Sequence, residues 1–223
     1  YPLIGLIAAT FALNGASLPL LFPLVAGLSL MGPLVSAGFY ELARRRDVGE
    51  DSGWGHFFDM RKAGNFSDFA FVGAILLGIF AAWMVSAVIL HNVFLGDMLP
   101  RSIGDFLTQL FTTSEGWAMI VVGNLVGLFF AVLTLAVSFV ALPMLVDRNV
   151  GAGRALRTSV RAYRANRVLS LRWGLRVAAL LALGSIPLFF GLAVVLPILG
   201  YATYHLYTRL VDRSALEPAQ RDG

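Results

Sequence analysis

Hydrophobic positions along this chain gather into long blocks instead of alternating. No charged residue occurs from Tyr1 to Tyr40, from Phe69 to Gly96, from Gly116 to Val146, or from Val177 to Thr208. Each block exceeds the roughly 20 residues that carry an α-helix across a hydrocarbon core. A membrane β-barrel shows dyad alternation in segments of about 10 residues, and no such pattern is present. Two blocks divide further. The turn-prone stretch LNGAS at 13–17, followed by Pro19, separates a helix over 1–13 from one over 18–44. The next helices are predicted over 69–94 and 116–145. The last block, 177–208, is short for two spans. It accommodates helices over 168–185 and 187–208 if Arg172 and Arg176 snorkel to the interface and Pro187 takes a first-turn position.

Charge placement orients this map. Sixteen of the seventeen bases fall in 41–68, in 147–176 and after 208, whereas loop 96–115 holds Arg101 alone with Asp97, Asp105 and Glu115. Bases mark the cytoplasmic side, so an even number of crossings separates 147–176 from the tail. The pattern predicts an all-α polytopic transmembrane helix bundle, six spans arranged as three helical hairpins, with both termini cytoplasmic. A single transmembrane domain would occupy 1–213 and a cytoplasmic tail 214–223. A weak internal repeat supports the hairpins, because GLSLMGPLVSAGFYELARR (27–45) aligns without gaps with GLAVVLPILGYATYHLYTR (191–209). LPMLVDR (142–148) offers a third copy of its core, and Pro33, Pro143 and Pro197 mark kinks in the three descending helices.

Composition agrees. The chain has 223 residues, of which 58% are hydrophobic and 13% charged, against roughly 25% charged in soluble domains. Its mean hydropathy is +0.77. The net charge of +4 follows membrane topology, so nucleic acid is not an expected partner. There is no cysteine, which excludes disulfides and thiolate metal sites.

Two segments outside the spans are amphipathic. In 152–166, Arg154, Arg157, Arg161 and Arg164 recur at helical spacing, with Leu156, Val160 and Tyr163 on another face. Such a helix suits a headgroup plane with anionic lipid, or an acidic partner subunit. The helix over 103–112 carries an apolar stripe from Ile103 to Phe111. Capping boxes are predicted at Ser102/Asp105 and at Thr112/Glu115. GWGHFFDMRKAGNF (53–66) sets aromatics beside bases, again an interfacial composition.

Motifs for catalysis are missing. GAGRAL (151–156) has Leu156 at the third glycine position of a dinucleotide fingerprint, and HExxH, GxSxG and a phosphate loop are absent. GNLVG (123–127) is a GxxxG that suits close helix packing. His91 and His205 fall on opposite sides of the bilayer, about 30 Å apart, so they do not share a haem. No cofactor, metal or enzymatic activity is expected. Polar interest concentrates in a cytoplasmic-side belt of Glu41, Asp147, Arg148, Asn166 and His205. Glu41 and His205 are equivalent under the repeat. The belt reads as a structural layer at the helix feet, with a solute or ion pathway as the alternative.

GPLVSAGFYELARRRDVGE, LPMLVDR and VVLPILGYATYHLYTRLV together resemble the bacterial integral-membrane family DUF2189, from Leu18 to about Val211. The resemblance implies a multi-span inner-membrane protein. Glu41, Asp147, Arg148, His205 and Tyr207 match the family pattern, and Tyr204 replaces the tryptophan often found before the final histidine. Some members are labelled as a cytochrome c oxidase subunit, which implies an accessory or assembly subunit of a larger membrane complex such as cytochrome c oxidase or a related one. It does not imply the catalytic core, whose haem and copper ligands this chain lacks.

Overall fold

The computed structural model describes residues 32–62, 66–96, 103–186 and 190–213. The expected helix over 1–13, the start of the helix over 18–44, Pro187 and the tail over 214–223 lie outside the described residues. Within them the order is α1 (Gly32–Val35), α2 (Ala37–Asp47), a 3-10 helix (Trp54–Lys62), α3 (Phe66–Leu95), α4 (Ile103–Thr112) and α5 (Ser114–Ser138). Then follow α6 (Ala141–Asp147), α7 (Ala152–Ala165), α8 (Arg167–Ser185) and α9 (Leu192–Leu210). No strand occurs among the described residues.

Among the described residues three helices are long and apolar enough to cross a membrane: Phe66–Leu95, Ser114–Asp147 taken across its break, and Arg167–Ser185. α9 is not among them, because its second half carries Tyr201, Tyr204, His205, Tyr207 and Arg209. α3 and α5 pack along each other, and most of their surface faces outward. Trp83 of α3 meets Phe130 of α5 edge-on at 5.8 Å. A Cβ at Gly127 would lie 2.6 Å from the Trp83 ring, so the second glycine of GNLVG is used inside this hairpin.

The expected helix over 116–145 is broken at Phe139–Val140, and the cause is local. Pro143 lacks an N–H, and its ring displaces the carbonyl four residues earlier. The ladder opens one turn further back, between Ala136 and Val140, and the Ser159 side chain of α7 fills the gap. Its hydroxyl donates to the Ala136 carbonyl at 2.8 Å and accepts from the Val140 N–H at 3.3 Å. A side chain inserted into the ladder is a known origin of sharp kinks. The break turns α6 into the centre of a second layer. Every residue from Ala141 to Val146 is buried, enclosed by α2, α9, α7 and the start of α3. The helix expected over 18–44 is likewise interrupted, at Ser36, three residues after Pro33.

α7 docks through a stripe of small residues, Ala152, Ala155 and Ser159, all buried. Leu156 and Tyr163 are only partly buried against the core. At about 100° per residue, Arg154, Arg157, Arg161 and Arg164 fall nearly opposite that stripe, and all four are exposed. The Asp68 carboxylate, from the start of α3, accepts from the Ala152 N–H at 2.8 Å, an N-terminal cap from distant sequence. On α4, Leu107 and Phe111 are exposed, and Trp117 donates to the Phe111 carbonyl at 3.0 Å. The cap before α5 is Thr113, whose hydroxyl accepts from the Gly116 N–H at 3.0 Å. Thr112, expected in that role, instead donates back to the Thr108 carbonyl at 2.6 Å.

Replacing Ser159 with alanine leaves the Ala136 carbonyl and the Val140 N–H unpaired in a dry interior. A loss of about 1–3 kcal/mol is expected, measured as the shift in the denaturation midpoint of the detergent-solubilised protein.

Candidate functional site

The feet of α2, α6 and α9 meet in one polar layer that holds two buried carboxylates. Glu41, 5% exposed, stands at the end of the apolar stretch of α2. Arg44 and Arg45 follow at i+3 and i+4, so both reach back along the same helical face. Arg44 donates through Nε to Oε2 at 3.0 Å and through Nη2 to Oε1 at 2.8 Å. Arg45 adds a third bond to Oε1 at 2.8 Å. The planar fork of arginine suits this bidentate grip.

The clamp extends into the 3-10 helix. Arg45 also donates to Asp59 at 3.1 Å. Asp59 lies 2.6 Å from His56 Nδ1, and Asp51 lies 3.2 Å from His56 Nε2. Aromatic packing holds the same loop, since Phe57 meets Phe39 edge-on at 5.0 Å. A Cβ at Gly38 would lie 2.5 Å from that Phe57 ring. His56 is pushed above the ordinary imidazole value, first by its hydrogen bond to Asp59. Asp51 is held below the usual carboxylate value, first by the Gly53 N–H.

The second carboxylate is that of Asp147, the last residue of α6, whose side chain is 4% exposed. Tyr204 donates to Oδ1 at 3.1 Å and Tyr207 to Oδ2 at 2.9 Å. Both tyrosines are fully buried and, three residues apart on α9, share one helical face. Arg213 lies 3.9 Å from Asp147 and donates to Asp47 of α2 at 2.8 Å. Arg148 Nε stands 3.6 Å from its neighbour Asp147. The Asp147 side chain thereby joins the ends of α6 and α9, and Arg213 brings in α2.

The structure divides the expected belt. The carboxylates of Glu41 and Asp147 are buried, each within its own set of partners. Asn166 caps α7, its backbone N–H donating to Ala162 at 3.0 Å and its side chain to the same carbonyl at 3.2 Å. It also begins α8. His205 is exposed on α9. The repeat therefore superposes a buried acid on an exposed imidazole, while the identical residues Tyr40 and Tyr204 are both buried. Pro143 and Pro33 precede or follow helix breaks, while Pro197 lies inside α9, which runs on as a single helix. Among the described residues no three His, Asp or Glu side chains converge to hold a metal ion. Sequence reading missed Tyr204, Arg213, Asp59 and Ser159 as partners. The i, i+3 tyrosines facing a lone acid were the available signal for the first; the others needed the tertiary contacts.

Tyr207→Phe is expected to destabilise by about 1.5–3 kcal/mol, the range for a bond to a charged acceptor. Tyr204→Phe should cost less, given its longer bond, and a double-mutant cycle by denaturant titration in micelles checks both. The raised value of His56 implies a contribution to loop docking fully present below pH 6.5 and lost as pH rises through the folded-state value. An NMR titration of His56 should give a midpoint above 6.5, and Asp59→Asn should lower it.

No curated protein and no solved structure matches the chain. One family model does, over residues 20–147, and its description is a predicted integral membrane protein. The matched segment takes in Glu41, Pro33, Pro143 and Asp147 and stops there. The C-terminal stretch to Val211, which sequence similarity had included, lies outside it. With more than half its length matched, and with helices long and apolar enough to cross a bilayer, this chain belongs to the DUF2189 family of integral membrane proteins.

Proposed function

We propose that the protein is a non-catalytic accessory or assembly subunit of a larger complex, a respiratory one, in the bacterial inner membrane. In this reading the arginine-rich segments and the polar layer face the cytoplasm, and α3 and α5 cross to the acidic loop between them. The bases of α7 and those at the end of α9 both lie on the cytoplasmic side in this reading, which requires an even number of crossings between them.

The observation that carries the reading is the division of labour between its charges. The two buried acids at the helix feet are closed by partners from their own chain: Glu41 by Arg44 and Arg45, Asp147 by Tyr204 and Tyr207. Such groups pin helix ends. The arginines of α7, by contrast, point away from its docking stripe. A row of exposed guanidinium groups matches an acidic subunit surface, since charge complementarity steers and orients association. A carrier that worked through Glu41 or Asp147 would need that carboxylate open to its solute, and the closed carboxylates do not favour that alternative.

Gentle detergent extraction of the tagged protein at native expression, followed by mass spectrometry and an optical spectrum, tests the proposal. Stoichiometric membrane subunits with haem absorption are expected, and Arg157→Gln/Arg161→Gln/Arg164→Gln should reduce their recovery. A colourless protein recovered alone, or only with copies of itself, would overturn it.

A further inference from the structure

Helices α8 and α9 form a closed hairpin whose tip is apolar. The arms touch at two glycines, where a Cβ on Gly191 would lie 2.7 Å from the Gly184 carbonyl oxygen. From Val177 to Gly200 the single polar side chain is Ser185, and its hydroxyl is spent on its own helix, donating to Leu181 at 2.8 Å. Residues 186–190 read Ile-Pro-Leu-Phe-Phe. Ile186 is 76% exposed and Phe190 71% exposed. The connection between α3 and α5 is its opposite. Residues 96–115 carry Asp97, Arg101, Asp105 and Glu115, as expected of a loop that emerges into water.

Length separates the two hairpins as well. Between Arg176 and Ser185 the chain advances nine residues, about 14 Å at the helical rise. Between Leu192 and His205 it advances thirteen, about 20 Å. Both fall short of a hydrocarbon core of about 30 Å. α3, from Phe69 to Leu95, advances twenty-six residues, about 39 Å, and is long enough. For α8 to cross, all nineteen of its residues would have to lie in the core, with Arg176 near its middle. Arg172 and Arg176 are exposed, have no ion-pair partner among the described residues, and stand beside exposed Val168, Leu171 and Leu175. Unpaired guanidinium groups on an apolar face belong at the phosphate level of a leaflet, with their stems along the acyl chains.

We propose that α8 and α9 form a re-entrant wedge that enters and leaves through the cytoplasmic leaflet, with Ile186 and Phe190 in hydrocarbon at its tip, and that Arg172 and Arg176 together bind the phosphate of an anionic phospholipid. One turn apart at i and i+4, the two guanidinium groups present parallel N–H donors to one phosphodiester. The wedge replaces the last two of six expected spans with none, which keeps the crossing number even. It rests on the orientation proposed above, with the arginines cytoplasmic.

The absence of native cysteine makes single-cysteine labelling direct. Thr108→Cys and Arg164→Cys serve as controls for the two faces, and Ile186→Cys and Phe190→Cys report the tip, in right-side-out and inverted vesicles with a membrane-impermeant maleimide. The two tip variants should label from neither face yet label after solubilisation in detergent. A bimane attached to the thiol of the Ile186→Cys variant should be quenched more by lipids brominated at acyl-chain ends than by lipids brominated near the headgroup. Labelling of either tip variant in sealed vesicles, or stronger quenching near the headgroup, overturns the wedge. Controls that label from one and the same face overturn the orientation instead. For the lipid, Arg172→Gln/Arg176→Gln should retain about tenfold less phosphatidylglycerol in native mass spectra, with phosphatidylcholine unchanged. Equal phosphatidylglycerol retention would overturn the arginine seat.

Discussion

A single hydroxyl, that of Ser159, occupies the gap between the Ala136 carbonyl and the Val140 N–H, and the polar layer at the helix feet is arranged around it. A backbone pair opened in a dry interior costs free energy unless something satisfies it. Because Ser159 does so, the helix can turn at Phe139–Val140 and redirect α6 into the middle of its neighbours. The same contact fixes the position of α7, whose small stripe then lies close against α5 and α6. From that follow the outward arginines on the opposite face and the place where α8 begins.

The redirected α6 ends at Asp147, and that residue's neighbours decide what the layer is. Two tyrosine hydroxyls close one buried carboxylate, and two arginines close the other at Glu41. Truncating one partner of such a buried set is expensive because it strands the other. The layer is therefore more persuasive as a rigid joint among helix ends than as a reacting centre. The His56 network continues the joint outward to the aromatic loop, where pairing is exposed, screened and pH-dependent.

The two helical hairpins illustrate how a bilayer sorts segments of similar apolarity. α3 and α5 have length to spare and a charged connection. α8 and α9 have neither, and their bases sit within the apolar face instead of beyond it. Hydropathy averaged over a window sets α9 apart but passes α8 together with α3 and α5. Axial distance between charges and the polarity of the connecting turn are what separate a crossing from a wedge.

Membrane residence, helical class and the positions of α3, α4, α7 and α8 follow from the sequence by itself, because charge-free length and helical periodicity are local properties. The Glu41 clamp was half legible for the same reason: Arg44 and Arg45 at i+3 and i+4 must share its face. Other features were decided only by tertiary structure. Whether Pro143 merely kinks the helix or breaks it depends on Ser159, which lies nineteen residues beyond Val140 in sequence. That Asp147 meets Tyr204 and Tyr207, while His205 points outward, depends on how α9 is rotated against α6. Periodicity names a face of a helix, but only the neighbours it packs against determine which face becomes the inside.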